Sequence, residues 1–320
     1  MKKLAKVSVV GAGNVGSTCA FLLSINSAAD VYLYDKAQNL AEAKALDIGQ
    51  SAALFNSGSK VVAARSMAEL EGSHVVVMTA GLPRKPGMSR ADLIKANSAI
   101  AKEISMGIAE NAPEAIVIVV SNPLDIITWL VFKETGFDRR RVFGMAGLVD
   151  NSRLRYFAAE KTGHDVQAVR SHVLGLHSDT MVIPEEHLHI DGKPVIQEID
   201  KNSVAAIKES TLSAGAQIVN LLGGGSAYYL PGAGAYFMAR AVLEDTSEIF
   251  DSSVYLEGEY GLTGVCLGVP AKLGKEGIKS IEEIKLSTES LQEMKENARL
   301  FNEQLEIATS LRSSQWRHKL

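Results

Sequence analysis

The chain has 320 residues, about twice a usual domain length, so two domains or one large one are expected rather than a small module. A hydrophobic share of 46%, a charged share of 22% and 27 glycines exclude disorder and collagen-like repeats. With 33 Lys and Arg against 37 Asp and Glu the formal charge is −4, which leaves no basic excess to hold nucleic acid.

Lys2, Lys3 and Lys6 followed by apolar residues imitate a secretory signal, but Gly11, Gly13, Asn14 and Gly16 end the apolar run after Val10, too early for one. No later run, Ala115 to Val120 included, approaches a membrane span. Cys19 and Cys266 lie far apart and outside any CxxC pair. Neither a disulfide framework nor a zinc ribbon is legible, and a soluble protein of the reducing cytoplasm is expected.

Through the first half, β-branched runs alternate with turns and helix-length segments. Strands are predicted at 7–10, 31–34, 60–63, 74–78, 116–120 and 141–143, and helices at 15–28, 40–55 and 90–110. Such continuously apolar runs suit strands covered on both faces. The predicted fold class is therefore α/β, a doubly wound parallel sheet with right-handed crossovers. After Gly147 the pattern changes to α+β. A helix at 151–161, a strand-like stretch at 166–174 and a hairpin closing on Asp191-Gly192 are followed by helices at 201–222, 233–243 and 288–311, with strands inside 252–270. The tail at 313–320 is polar and expected to fray.

Val7-Ser8-Val9-Val10-Gly11-Ala12-Gly13-Asn14-Val15-Gly16 sets GxGxxG between a strand and a helix. Gly11 permits the tight turn, Gly13 lets the backbone approach a pyrophosphate, and Gly16 lets helix and strand pack closely. Ala12, Asn14 and Val15 complete the loop at a helix N-terminus that offers free N–H groups to an anion. Asp35 ends the second strand about 20 residues further on, where a carboxylate accepts from ribose hydroxyls and repels a 2′-phosphate. NAD is expected over NADP, with Lys36 blunting that exclusion slightly. The competing reading is a plain glycine turn capped by a helix. The chain is expected to divide into a cofactor domain at 1–147 and a catalytic, substrate-binding domain at 148–320.

Four further blocks fall at strand ends or on one helix face. Gly81-Leu82-Pro83-Arg84-Lys85-Pro86-Gly87-Met88-Ser89-Arg90 leaves the carboxyl end of the fourth strand, where ligands bind in such sheets. Ser121-Asn122-Pro123 ends the next strand on the same rim. Asp150 and Arg153 share a helix face by their i, i+3 spacing. Gly175-Leu176-His177-Ser178-Asp179-Thr180 places a histidine in a loop after a strand. Singly, each block has a plain reading: a satisfied loop histidine, a surface ion pair, and a solvated basic loop at Arg84, Lys85 and Arg90.

Taken together, the blocks resemble the lactate/malate dehydrogenase family from Lys6 to about Ala308. That resemblance implies His177 as the catalytic acid/base, Asp150 as its orienting carboxylate, Arg153 as the clamp on the substrate's first carboxylate and Arg90 as a lid cation. It makes Asn122 the hydroxyl-binding amide, and sets Thr79, Ala80, Gly81, Asn97, Val120 and Ser121, with Asn122, along the cofactor. Arg84 falls at the substrate-discriminating position, where an arginine resembles the malate enzymes of the family and lactate enzymes carry glutamine. The implied reaction is reversible hydride transfer between NAD and a small dicarboxylate, malate or oxaloacetate. The assembly implied is a homodimer or homotetramer, with no nucleic-acid or membrane partner.

Elementary electrostatics agrees. Burying the second carboxylate of oxaloacetate without a cation is costly, and Arg84 supplies one in fork geometry. Such a charge-assisted bond contributes roughly 1.5–3 kcal/mol. The methyl group of pyruvate would leave Arg84 buried and unpaired.

Two positions depart from the family pattern. Ser178 stands where relatives commonly have glycine, so a positive φ there would strain the loop beside His177. Asn151 stands where a small hydroxyl residue is common. Glu185-Glu186-His187-Leu188-His189 invites a metal reading but lacks a recognised ligand frame, and no metal is expected. Gly223-Gly224-Gly225-Ser226-Ala227 reads as a helix stop, although the resemblance brings Ser226 and Ala227 toward the substrate pocket. Three other readings stay open: a dehydrogenase for lactate or another 2-hydroxy acid, a non-catalytic NAD-binding protein, and a metal-dependent hydrolase using His187 and His189.

Overall fold

Short β-branched runs buried on both faces build the centre of the molecule. The computed structural model describes residues 4–83 and 88–310. Arg84, Lys85, Pro86 and Gly87 of the predicted basic loop lie outside the described residues, as does the polar tail at 313–320.

In the first half β1 (Lys6–Val10), β2 (Asp30–Tyr34), β3 (Val61–Ala64), β4 (Val75–Met78), β5 (Ile116–Val119) and β6 (Val142–Gly144) pair in parallel in the order β3-β2-β1-β4-β5-β6. Every residue of β4 and β5 is buried, as strands covered by helices on both faces require. The connecting helices are α1 (Asn14–Ile25), α2 (Gln38–Leu54), α3 (Arg90–Asn111) and α4 (Leu124–Thr135), and α5 (Gly147–Thr162) follows β6. β1 lies between β2 and β4, so the strand order reverses there and a crevice opens beyond the carboxyl ends.

The sheet does not stop at the predicted boundary near Gly147. Ser253 of β10 (Ile249–Glu257) pairs antiparallel with Gly144 of β6, and β11 (Thr263–Gly274) and β12 (Gly277–Ile281) extend the sheet to nine strands. One hydrophobic core runs from Val7 to Ala308 across both halves. A smaller one, including Leu154, Val173, Ile183, Leu188 and Ile207, lies between α5 and α6 (Lys201–Leu222). Beside it β7 (Val169–Arg170), β8 (His189–Ile190) and β9 (Lys193–Pro194) form a second sheet. The β8–β9 turn has φ of 49° at Asp191 and 80° at Gly192, the positive pair that a two-residue hairpin loop demands. α7 (Tyr229–Glu244) and α8 (Thr288–Thr309) complete the fold.

Several expectations are corrected. α4 was not anticipated from the sequence. Leu124 to Val131 is buried almost all round, and so apolar a run does not by itself tell a helix from a strand. The stretch at 166–174 is not one strand. A helical turn at Val166–Ala168 precedes the two residues of β7, because Arg155 donates to the Val166 and Val169 carbonyls that a longer ladder would use. α1 ends three residues early, where Ser27 turns to positive φ. α7 begins four residues earlier than its apolar pattern suggests. Gly223 caps α6 in the left-handed conformation, as a helix stop should. No described helix is long and apolar enough to cross a membrane.

Candidate active site

The loop after β1 needs its glycines for separate reasons. Gly11 has φ of 111°, and a Cβ on it would lie 2.6 Å from the Thr79 hydroxyl. A Cβ on Gly16 would lie 1.9 Å from the Gly11 carbonyl oxygen, so helix and loop could not coexist with a side chain there. Gly13, the residue preceding α1, has nothing within 4 Å of its Cβ position. Its open space beside the first N–H groups of α1 is a cradle that a side chain would fill and a pyrophosphate fits.

Asp35 closes the other side. Its Oδ2 accepts from the Ala12 N–H and its Oδ1 from the Ala37 N–H, both at 2.8 Å, which fixes the carboxylate and leaves lone pairs free for ribose hydroxyls. Gly11, Gly13, Asp35, Thr79, Ala80 and Gly81 line a cavity of about 470 Å³ walled by Leu40, Met67, Ile100 and Ile104. Apolar walls with a polar floor suit a purine and its ribose. Thr79 donates to the Gly11 carbonyl at 2.9 Å and Ser121 to the Ala80 carbonyl at 2.7 Å, tying three strand ends together.

Asn97 acts differently from a lining residue. Its buried amide accepts from the Leu82 N–H and donates to the carbonyls of Leu82 and Asn122, at 2.8, 3.1 and 2.7 Å. With both amide hydrogens committed, it braces the loops after β4 and β5. Val120 is buried just past β5, and the Asn122 side chain belongs to an exposed residue on the same rim.

At the far end, two side chains converge on one carboxylate. Asp150, in the first turn of α5, is 1% exposed. Its Oδ2 lies 2.6 Å from His177 Nδ1, and its Oδ1 accepts from Arg153 Nη1 at 3.0 Å. The Asp150 contact makes Nδ1 the donor, and no hydrogen bond to another described residue engages Nε2, the atom left to exchange a proton. Burial alone lowers the proton affinity of His177. The charge and hydrogen bond of Asp150, with Asp125 behind, outweigh both burial and Arg153, so the imidazole titrates above the ordinary histidine value. Arg153 Nε is buried without a hydrogen-bond partner, and the guanidinium faces Gly215 of α6. An orphaned donor on a buried cation is what a carboxylate ligand would satisfy.

The His177 loop is held from behind by groups the sequence did not single out. Asp125 of α4 accepts from the His177 N–H at 2.8 Å and from the Ser253 hydroxyl at 2.7 Å. Asn297 of α8 accepts from the Leu176 N–H and donates to the Thr180 carbonyl. Each comes from an element distant in the chain, so neither left a local trace. Ser178 has no positive φ, and its hydroxyl lies 2.8 Å from that of Thr180. Asn151 donates to the carbonyl of Ser171 and to Asp251, a use of its length that a small hydroxyl residue could not match.

Arg90 is the exposed first residue of α3, capped by Ser89 and Asp92; Arg84 lies outside the described residues. Ser226 is exposed between α6 and α7. His187 Nε2 donates to the Lys285 carbonyl, and among the described residues no group of three His, Cys, Asp or Glu side chains is placed to hold a metal ion.

Two family models match the chain: the lactate/malate dehydrogenase NAD-binding domain over residues 5–144 and the lactate/malate dehydrogenase alpha/beta C-terminal domain over 148–311. A malate dehydrogenase of Methanosarcina barkeri is 41% identical over 307 residues, covering 95% of this chain and 100% of the relative. Among solved structures, the apo malate dehydrogenase of Picrophilus torridus matches with a TM-score of 0.94 at 33% identity, covering 98% of this chain and 99% of the other. The lactate dehydrogenase of Eimeria maxima with NADH and oxamate matches with a TM-score of 0.94 at 34% identity, covering 98% and 97%.

Proposed function

The chain belongs to the lactate/malate dehydrogenase family, and on that premise we propose that it catalyses the reversible NAD-dependent oxidation of (S)-malate to oxaloacetate. Residues 1–147 hold NAD and lend Arg84, Arg90 and Asn122 to the substrate, and residues 148–320 supply the acid/base pair and the Arg153 clamp. The observation that carries the reading is the buried Asp150 carboxylate shared by His177 and Arg153.

Gly11, Ala12, Gly13, Asn14, Val15 and Gly16 cradle the pyrophosphate, and Asp35 takes the adenosine ribose. Thr79, Ala80, Gly81, Val120, Ser121 and Asn122 line the path toward His177, with Asn97 bracing it. When bound, NAD accepts the hydride that leaves C2 of malate. His177, neutral and donating from Nδ1 to Asp150, takes the C2 hydroxyl proton at Nε2, and Asp150 stabilises the imidazolium that results. Arg153 holds one substrate carboxylate through the donors Asp150 leaves free. Arg84 holds the other, Arg90 closes over the carbonyl, and Asn122 orients the hydroxyl. Reduction of oxaloacetate reverses each step.

Lactate or pyruvate is the second reading, favoured by the equally close fold of the Eimeria maxima enzyme. The arginine at position 84 weighs against it, because a methyl group in place of a carboxylate would leave that cation without a counter-charge. NADH consumption with oxaloacetate against pyruvate tests the choice: oxaloacetate should be much the faster, and faster turnover of pyruvate would reverse it. The proposed setting is the cytoplasm, at the malate step of the tricarboxylic acid cycle, with both cysteines buried and reduced. Exposed Leu46 and Leu54 on α2, with Tyr229 and Phe237 on α7, support a homodimer or homotetramer.

A further inference from the structure

Asp125 has no place among the groups that would touch malate or NAD, yet it is a carboxylate 4% exposed directly behind the catalytic loop. Its two hydrogen-bond donors are neutral, the peptide N–H of His177 at 2.8 Å and the Ser253 hydroxyl at 2.7 Å. A charge so buried is costly unless something compensates it. The cation that the pocket offers is the imidazolium that His177 becomes.

We infer that Asp125 is a positioning residue for the reaction: its carboxylate pins the His177 peptide and adds a second negative charge behind the imidazole, so two carboxylates hold the transferred proton. The inference rests on His177 being the acid/base group proposed above. The groups facing His177 are Asp150 and Arg153 from α5 and Asp125 from α4, and those facing Asp125 are His177, Asp150 and the Cys266 thiol of β11. Burial pushes the Asp125 carboxyl up to about 6, opposed by its bonds to Ser253 and His177 and by the charge of His177. It is therefore ionised where His177 titrates and raises the proton affinity of that histidine. Cys266, pushed well above the ordinary thiol value by burial and by Asp125, stays neutral beside them. Asn297 independently fixes the loop at Leu176 and Thr180, so neutralising Asp125 changes charge more than shape.

Asp125→Asn tests this, since the amide oxygen still accepts from the His177 N–H. Malate oxidation needs neutral His177 and oxaloacetate reduction needs the imidazolium. The acid limb of the first pH profile and the basic limb of the second should both move down by about one pH unit. kcat should fall while KM for malate stays near its original value. A purely structural brace would lower kcat or the melting temperature and leave both limbs in place, and that result overturns the inference. Should the variant not fold, the wild-type protein decides by NMR of the His177 ring carbon. Two titration steps, one near pH 6 from Asp125, are expected. A single step overturns the inference. A His177→Asn enzyme that binds NADH but does not turn over leaves the acid/base premise standing, whereas one that still turns over removes that premise instead.

Discussion

Asp150→Asn exchanges the charge of the carboxylate shared by His177 and Arg153 for an amide of the same shape. With His177 Nδ1 and Asp150 Oδ2 at 2.6 Å, the charge centres of imidazolium and carboxylate stand roughly 4 Å apart. At an effective dielectric constant of about 20 their attraction is about 4 kcal/mol. The imidazolium develops only as the hydroxyl proton moves, so most of that attraction is felt in the transition state rather than the ground state. The amide oxygen still accepts from Nδ1 as a neutral partner, worth about 1 kcal/mol. The remainder predicts a fall in kcat for malate oxidation of about a hundredfold. KM should not rise, because Arg153, released from Nη1–Oδ1 pairing, attracts the dianion at least as strongly. Burial then dominates His177, and the acid limb of the profile moves to lower pH. Initial rates followed by NADH absorbance in both directions between about pH 6 and 9 measure all three effects. A kcat within tenfold of wild type with an unmoved acid limb would refute the assignment of Asp150 as the partner that stabilises the imidazolium.

Replacing Arg84 by Gln should cost oxaloacetate turnover roughly one to two powers of ten, the worth of a charge-assisted bond, and raise pyruvate turnover; an unchanged preference would move discrimination elsewhere. Gly13→Ala should fold and melt like wild type but bind NADH more weakly, whereas Gly16→Ala should lower the melting temperature, because its Cβ would lie 1.9 Å from the Gly11 carbonyl. Equal melting temperatures for the two variants would contradict that division. Burial lowers His172, but its hydrogen bond and charge contact with Asp251 more than offset this and hold it above the ordinary histidine value. Its stabilising contribution is complete below about pH 6.5 and fades as pH rises through the raised folded value. His172→Gln should therefore cost more melting temperature at pH 5.5 than at 8.5, and a loss equal at both ends would exclude the linkage.

How much of this is legible in the sequence follows from the range of the interactions. The parallel strands announced themselves because most of each is apolar, and Gly11, Gly13, Gly16 and Asp35 because a tight turn and a strand-end carboxylate are local demands within one βαβ unit. The i, i+3 spacing of Asp150 and Arg153 likewise follows from helix geometry. Where a segment is buried on nearly every side its apolar run fits a strand as well as a helix, which is why α4 was missed.

By itself the sequence determined the local conformations: the apolar strands of a covered sheet, the glycine turn, the Asp191-Gly192 hairpin and the side chains able to move a proton or hold a carboxylate. Only the tertiary structure decided which of those groups act together. It brought His177 onto Asp150 across 27 positions and Asp125 onto His177 across 52, set Asn297 of α8 against the same loop, and ran one sheet from β6 into β10 across the place where the sequence pattern changes. The physical reason is that a buried charge or peptide N–H must find a partner wherever packing brings one within about 3 Å, and that partner's place in the chain leaves no trace in the local pattern.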